Sequence, residues 1–134
     1  MAQKIVAIDT CIVVRLLTKD DTEQYQKSYQ LIEENQIFIS DTVILETHWV
    51  LMAAYGYSKQ QVCQDLRWLA GLANTHLENS TALAEAIAYA ESGLDFADAL
   101  HLAKASKMCS VLYTFDKKFS QHQSEYIGCQ VKKL

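Results

Sequence analysis

The apolar runs that could form strands in this chain are very short, and acidic residues follow them. Lys4 to Ile8 (KIVAI) stops at Asp9, Ile37-Phe38-Ile39 is followed by a helical segment that carries Glu46, and Val111-Leu112-Tyr113 stops shortly before Asp116. Runs of that length suit buried strands rather than helices. Helical patterns lie between them, and strands alternating with helices imply an α/β sandwich: a central, mostly parallel sheet with helices on both faces. In open sheets of this kind, ligands bind beyond the carboxyl ends of the strands. The chain therefore puts carboxylates where such a fold receives a ligand.

Punctuation along the chain supports the alternation. A short helix is expected from about Cys11 to Leu17. Asp20 or Asp21 caps a second helix reaching about Asn35, with Glu23 or Gln24 completing a capping box and Tyr25, Tyr29 and Ile32 on one face. Asp41 is expected to cap a helix over about Thr42 to Tyr55, ended by Gly56. Ser58 with Gln61 makes a further capping box, and Val62, Leu66 and Leu69 line the inner face of the helix that follows. Ser80 opens a helix closed by Gly93, Asp95 opens one through about Ser106, and Cys129-Gln130-Val131 reads as an edge strand.

At 134 residues, half of them hydrophobic, the chain suits one domain spanning 1–134. No apolar run approaches the roughly 20 residues needed to cross a bilayer. The opening MAQKIVAIDT has neither the apolar stretch nor the cleavage site of a secretion signal, so a cytoplasmic location and no membrane partner are expected. Cys11, Cys63, Cys109 and Cys129 form no CxxC pair and no zinc-finger spacing with His, so they read as small buried hydrophobes. The net charge of −4 argues at first against a nucleic-acid partner. Its distribution softens that: residues 1–91 carry 6 basic and 12 acidic side chains, residues 92–134 carry 6 and 4.

Four acids stand out. Asp9 follows the first strand and Asp116 the strand Val111 to Tyr113. Glu46 lies one turn into the helix after the second strand, and Asp98 in the first turn of the helix after Gly93. On a helical wheel Glu46 is flanked by Thr42, Val43, Trp49, Val50 and Ala53, and Asp98 by Leu94, His101, Leu102 and Ala105. Both surfaces are mainly apolar, where a carboxylate is costly unless paired, and no Lys or Arg stands at i±3 or i±4 from either. A divalent ion would compensate several such carboxylates at once. Oxygen-only ligation suits Mg²⁺ or Mn²⁺. One or two such ions, the two spaced roughly 4 Å apart, can drive phosphodiester hydrolysis by an activated water, with no Ser, Cys or His nucleophile needed. None of His48, His76, His101 and His122 sits in a triad motif.

Plainer roles compete for each acid. Asp9 and Asp116 each precede a helical turn that they could simply cap, and Asp98 sits where a helix dipole favours negative charge. Glu46 has the weakest structural explanation. Asp95 reads as a cap or a partner of Asp98 rather than a ligand, and His101 as a satisfied interior histidine. Thr10 and Thr114 are candidates to orient a water, or else to satisfy backbone groups. Lys104, Lys107, Lys117 and Lys118 are candidate phosphate contacts, or a solvated surface.

In the segments VAIDTCIVVRLLTKDD, ISDTVILETHWVL, GLDFADALHLAKA and VLYTFDKKF, the chain resembles the PIN-domain ribonucleases, especially the stand-alone toxins of VapC type. The segments occur in the family's order and cover nearly the whole chain. The resemblance puts the family's four acids on Asp9, Glu46, Asp98 and Asp116. It implies Mg²⁺- or Mn²⁺-dependent endonucleolytic cleavage of RNA, often by a homodimer and often held in check by an antitoxin protein. One position departs: Cys11 stands where the family most often has the Asn of an Asp-Thr-Asn motif, a residue that supports the site.

Other classes fit less well. A phosphotransfer receiver domain wants paired acids after the first strand, and Asp9 has no acidic neighbour. An Asp-x-Asp phosphatase fails because Cys11 takes the third position. The rival from another class is a catalytically inactive PIN-fold module that binds RNA or protein, which would not need four carboxylates.

Overall fold

The computed structural model describes residues 4–121 and 128–134; His122, one of the histidines considered above, lies outside them. The described residues form two compact units, 1–80 and 81–134.

The first unit is built on β1 (Ile5–Ala7), β2 (Gln36–Ile39) and β3 (Thr75–Leu77). They form a parallel sheet in that order, with Ile5 opposite Gln36 and Ile37 opposite Thr75. Four helices serve it: α1 (Thr10–Thr18), α2 (Thr22–Glu34), α3 (Asp41–Ala53) and α4 (Lys59–Ala70). Parallel neighbours need a crossover, and helices provide each one. Ile37 and Ile39 on β2 are fully buried, together with Val13, Leu16, Ile44, Leu51, Val62, Leu66 and Leu69 from the helices. Ile37 and Ile39 share one face of β2, and Gln36 and Phe38 on the other are half-buried.

Helix boundaries follow the capping chemistry. Asp9 caps α1 by accepting from the Ile12 amide, and α1 ends at Lys19, whose φ of 55° is left-handed. Asp21 caps α2 through the Gln24 amide. Gln24 does not close that box, because its side-chain oxygen accepts from Arg15 Nε at 2.7 Å. Ser58 and Gln61 form the expected capping box on α4. Asp41, expected as a cap, is instead the first residue of α3: Ser40 is the cap, accepting from the Val43 amide, and Asp41 is buried with its amide bonded to Glu78. Gly56 turns the chain after α3 with φ +67°, a conformation that costs glycine little.

The second unit holds α5 (Ser80–Glu91), α6 (Phe96–Ala105), β4 (Val111–Thr114), α7 (Lys117–Gln121) and β5 (Gln130–Lys133). β4 and β5 pair in parallel, Val111 opposite Gln130. Ala82, Leu83, Ala86, Ile87 and Ala90 of α5 and Phe96, Ala99, Leu102 and Ala103 of α6 are buried.

Some expectations change. The first strand reads as buried, yet Ile5 is 67% exposed and only Ile8, just past β1, is covered. β3 has no clear apolar run and was not anticipated; pairing with β2 makes it a strand. Cys63 and Cys129 are buried as expected, but Cys11 and Cys109 are exposed. Because Leu66 is fully buried, Leu66→Ala should lower unfolding stability by about 2–5 kcal/mol. Urea unfolding followed by circular dichroism measures the loss, and a loss under about 1 kcal/mol would show that this core is not packed as described.

Candidate active site

Asp9 sits at the junction of β1 and α1 because the strand must end before the helix can be capped. Its Oδ1 accepts from Cys11 Sγ at 3.0 Å and from the Ile12 amide at 3.4 Å. These bonds hold its carboxyl below the usual aspartate range, the thiol being the larger cause. The same bond, with partial burial and the Asp9 charge, raises the Cys11 thiol pKa. The Cys11 thiol, at the third position of the DTC segment, donates to the Asp9 carboxylate.

Thr10 is buried and its hydroxyl donates to Glu46 Oε1 on α3. Asp9, Thr10, Cys11, Val14, Arg15, Glu46, Val50 and Tyr55 all line one cavity of about 490 Å³ in the first unit. Glu46 is exposed at this cavity, not set in a buried apolar stripe: Thr42 and Ala53 are also exposed, and Trp49 is 66% exposed. The buried face of α3 is Asp41, Ile44, Thr47 and Leu51. The helical wheel misplaces Glu46, since periodicity does not say which apolar stripe a neighbour covers.

Beside these carboxylates stands a network that the sequence reading missed. Arg15 Nη1 donates to Asp20 at 3.2 Å and to Tyr55 Oη at 3.0 Å, while Tyr55 donates to Asp20 Oδ2 at 2.7 Å. Thr18 adds a bond to the same carboxylate at 2.9 Å. Asp20 is held below its ordinary pKa by Tyr55, Thr18 and Arg15. The available signal was an arginine inside the apolar run IVVRLL, followed by Asp20 and Asp21.

In the second unit, Asp95 caps α6 through the Asp98 amide at 3.2 Å. Asp98 is half-buried, and its pKa is raised by burial first, then by the charges of Asp95 and Asp116, against an opposing effect of His101. His101 is exposed, not interior as expected. Asp116 Oδ1 accepts from the Phe119 amide at 3.1 Å and caps α7, while Thr114 Oγ1 accepts from the Asp116 amide at 3.0 Å. Thr114 thus satisfies a backbone group. Lys107 pairs with Glu85 at 3.5 Å, and Lys104, Lys117 and Lys118 are exposed.

The donor set offered in both units is carboxylate and hydroxyl oxygen, the chemistry that Mg²⁺ and Mn²⁺ prefer. Each of Asp9 and Glu46 commits one oxygen to the protein bonds above. Among the described residues, no group of three or more His, Cys, Asp or Glu side chains is arranged to hold an ion.

The PIN domain family model matches residues 6–124. The chain belongs to the PIN-domain family. PIN domains are generally nucleases, and the α/β architecture with parallel strands agrees with the family's fold. A comparison with curated proteins gives no match. Among the described residues, no helix is long and apolar enough to cross a membrane.

The opposite pKa directions of Asp9 and Asp98 separate their structural roles. A raised carboxyl pKa in the folded state means the charged form destabilises it: the group's stabilising contribution is present below the unfolded pKa and is lost as pH rises through the folded one. Asp98→Asn should therefore raise the Tm above about pH 6, with the gain disappearing toward about pH 3. Asp9→Ala, which removes a cap, should cost about 1 kcal/mol near neutral pH. Thermal melts of the metal-free proteins from pH 3 to 8 check both. A Tm for Asp98→Asn well below wild type at neutral pH would make Asp98 a structural residue.

Proposed function

We propose that this PIN domain, taken as one domain over residues 1–134, is an Mg²⁺- or Mn²⁺-dependent endoribonuclease and the toxin of a toxin–antitoxin pair. In this reading Asp9, Glu46, Asp98 and Asp116 are the metal-binding, catalytic carboxylates. The observation that carries it is the cavity lined by Asp9 and Glu46, each oriented by a neighbour in the DTC segment. The Cys11 thiol lowers the Asp9 pKa, and Thr10 fixes the Glu46 carboxylate by one oxygen. A divalent cation bound there would supply the Lewis acidity that lowers the pKa of water and offsets phosphate charge. Asp98 has a raised pKa, and a nearby cation would favour its ionised form. Asp95 positions Asp98 by capping its helix, and Thr114 positions Asp116 through its amide. Lys104, Lys117 and Lys118 are exposed, and with Lys107 they are proposed as contacts for the RNA backbone.

Hydrolysis adds water at phosphorus and breaks the bond to the 3′-oxygen, leaving 5′-phosphate and 3′-hydroxyl ends. RNA incubated with Mn²⁺ should be cut internally to give those ends, and EDTA should stop it. Asp9→Asn, Glu46→Gln, Asp98→Asn and Asp116→Asn should each reduce cleavage by at least a hundredfold. Cyclic phosphate ends, or full activity in EDTA, would refute the mechanism. RNA binding without cleavage in any metal would instead identify an inactive binding module. The toxin assignment predicts that expression of the wild type, but not of Asp9→Asn, arrests growth and that an antitoxin protein relieves the arrest. A homodimer belongs to the same reading and would appear as twice the chain mass in solution.

Cys11 gives a separate test. Because the thiol donates to Asp9, Cys11→Asn should keep cleavage within a few-fold, whereas Cys11→Ala should lower it about tenfold, as expected for loss of one hydrogen bond to a charged group. Equal activity of the alanine variant and wild type, in a single-turnover assay, would show that the bond does not support the site.

A further inference from the structure

A second cavity, of about 380 Å³, adjoins the one that holds Asp9 and Glu46 and shares Cys11 and Arg15 with it. Its other lining residues are Ile12 on α1 and Gln24, Lys27, Ser28 and Leu31 on α2. The two cavities differ in their charged lining residues. The first carries two carboxylates beside Arg15, and the second carries two cations, Arg15 and Lys27, and no acid among its lining residues.

Arg15 is held in place on one side. Its Nε donates to Gln24 and its Nη1 to Asp20 and Tyr55, with Nη2 engaged in none of these bonds. A guanidinium fixed by three neighbours has already lost the rotamer freedom that binding would cost, and its remaining edge suits a phosphate oxygen. Ser28 is 7% exposed, so a hydroxyl sits in the wall of this cavity where an apolar residue would otherwise be expected. Lys27 pairs with Glu23 at 3.1 Å, but both side chains are more than 70% exposed. Such a pair is worth little and yields easily to a phosphate.

We propose that this second cavity is a phosphate subsite for a single RNA strand, formed by Arg15, Lys27 and Ser28, and that it holds the phosphate next to the one at Asp9 and Glu46. The inference rests on the RNA-cleaving reading for its ligand. Its physical logic is that a cavity lined by carboxylates repels a polyanion until cations are present, so a neighbouring cationic pocket must supply the grip. It also accounts for binding by a chain whose first 91 residues carry a net negative charge: the basic groups need only be placed locally.

The test uses the full chain and an RNA hexamer in EDTA, so that binding is measured without cleavage, at several salt concentrations. Lys27→Gln and Arg15→Gln should each weaken binding several-fold at low salt and reduce the salt slope by about 0.7, the value for one lost phosphate contact on a single strand. Lys132→Gln on β5 serves as the control. Arg15→Gln also disturbs the Asp20–Tyr55 network, so its folding is checked by thermal melting; Lys27→Gln carries the test if it is destabilised. If Lys27→Gln matches wild type in affinity and slope while the wild type cleaves RNA with Mn²⁺, the subsite is wrong and the nuclease reading stands. If the slope falls as expected but no metal supports cleavage, the nuclease reading is wrong and the subsite stands. Failure of the wild type to bind the hexamer at all overturns the subsite.

Discussion

The Thr10 hydroxyl donates to the Glu46 carboxylate across 36 residues of chain, and the candidate site in the first unit depends on that bond. It ties the start of α1 to the second turn of α3. Thr10 can reach because Asp9 ends β1 and caps α1, so the backbone direction there is set by a strand end and a helix start at once. A buried hydroxyl bonded to a charged oxygen is among the stronger protein hydrogen bonds. The core beneath it includes Val13 and Leu16 of α1 and Ile44 and Leu51 of α3, with Thr47 buried among the α3 residues.

The three residues Asp9, Thr10 and Cys11 divide the local work. Asp9 both caps a helix and presents a carboxylate to a cavity. Thr10 looks inward to Glu46, and Cys11 turns back to Asp9. Capping a helix and facing a cavity are therefore not alternatives for Asp9, as they are when residues are weighed singly. Asp116 caps α7 in the second unit. Asp98 differs. It uses burial and neighbouring negative charge, which disfavour its ionised form, and that is the electrostatic condition under which a cation gains most.

Much of this was legible in the residues. Short apolar runs, Ser58 with Gln61, and the glycines at 56 and 93 marked the elements within a few positions. The PIN-domain membership followed from four segments in order. What failed did so for identifiable reasons. β3 exists because β2 offers it a partner, and pairing with a distant strand leaves no local apolar pattern. Asp41 lost the capping position to Ser40 because two adjacent capping residues compete and Glu78 engages the Asp41 amide. Glu46 was placed on a buried stripe because α3 is apolar on more than one side, so its pattern does not choose a face.

The sequence by itself determined the α/β class, the acids at strand ends and helix starts, and the substitution of Cys for Asn in the DTC segment. These are local facts, set by backbone propensity, capping chemistry and residue identity. Only the tertiary structure decided that Cys11 donates to Asp9, that Thr10 holds Glu46, and that Arg15 is fixed by Gln24, Asp20 and Tyr55 beside both cavities. Two of those contacts join residues 36 and 40 positions apart. No local pattern encodes such a distance, because it is the packing of α1 against α2 and α3 that brings the side chains within hydrogen-bonding reach.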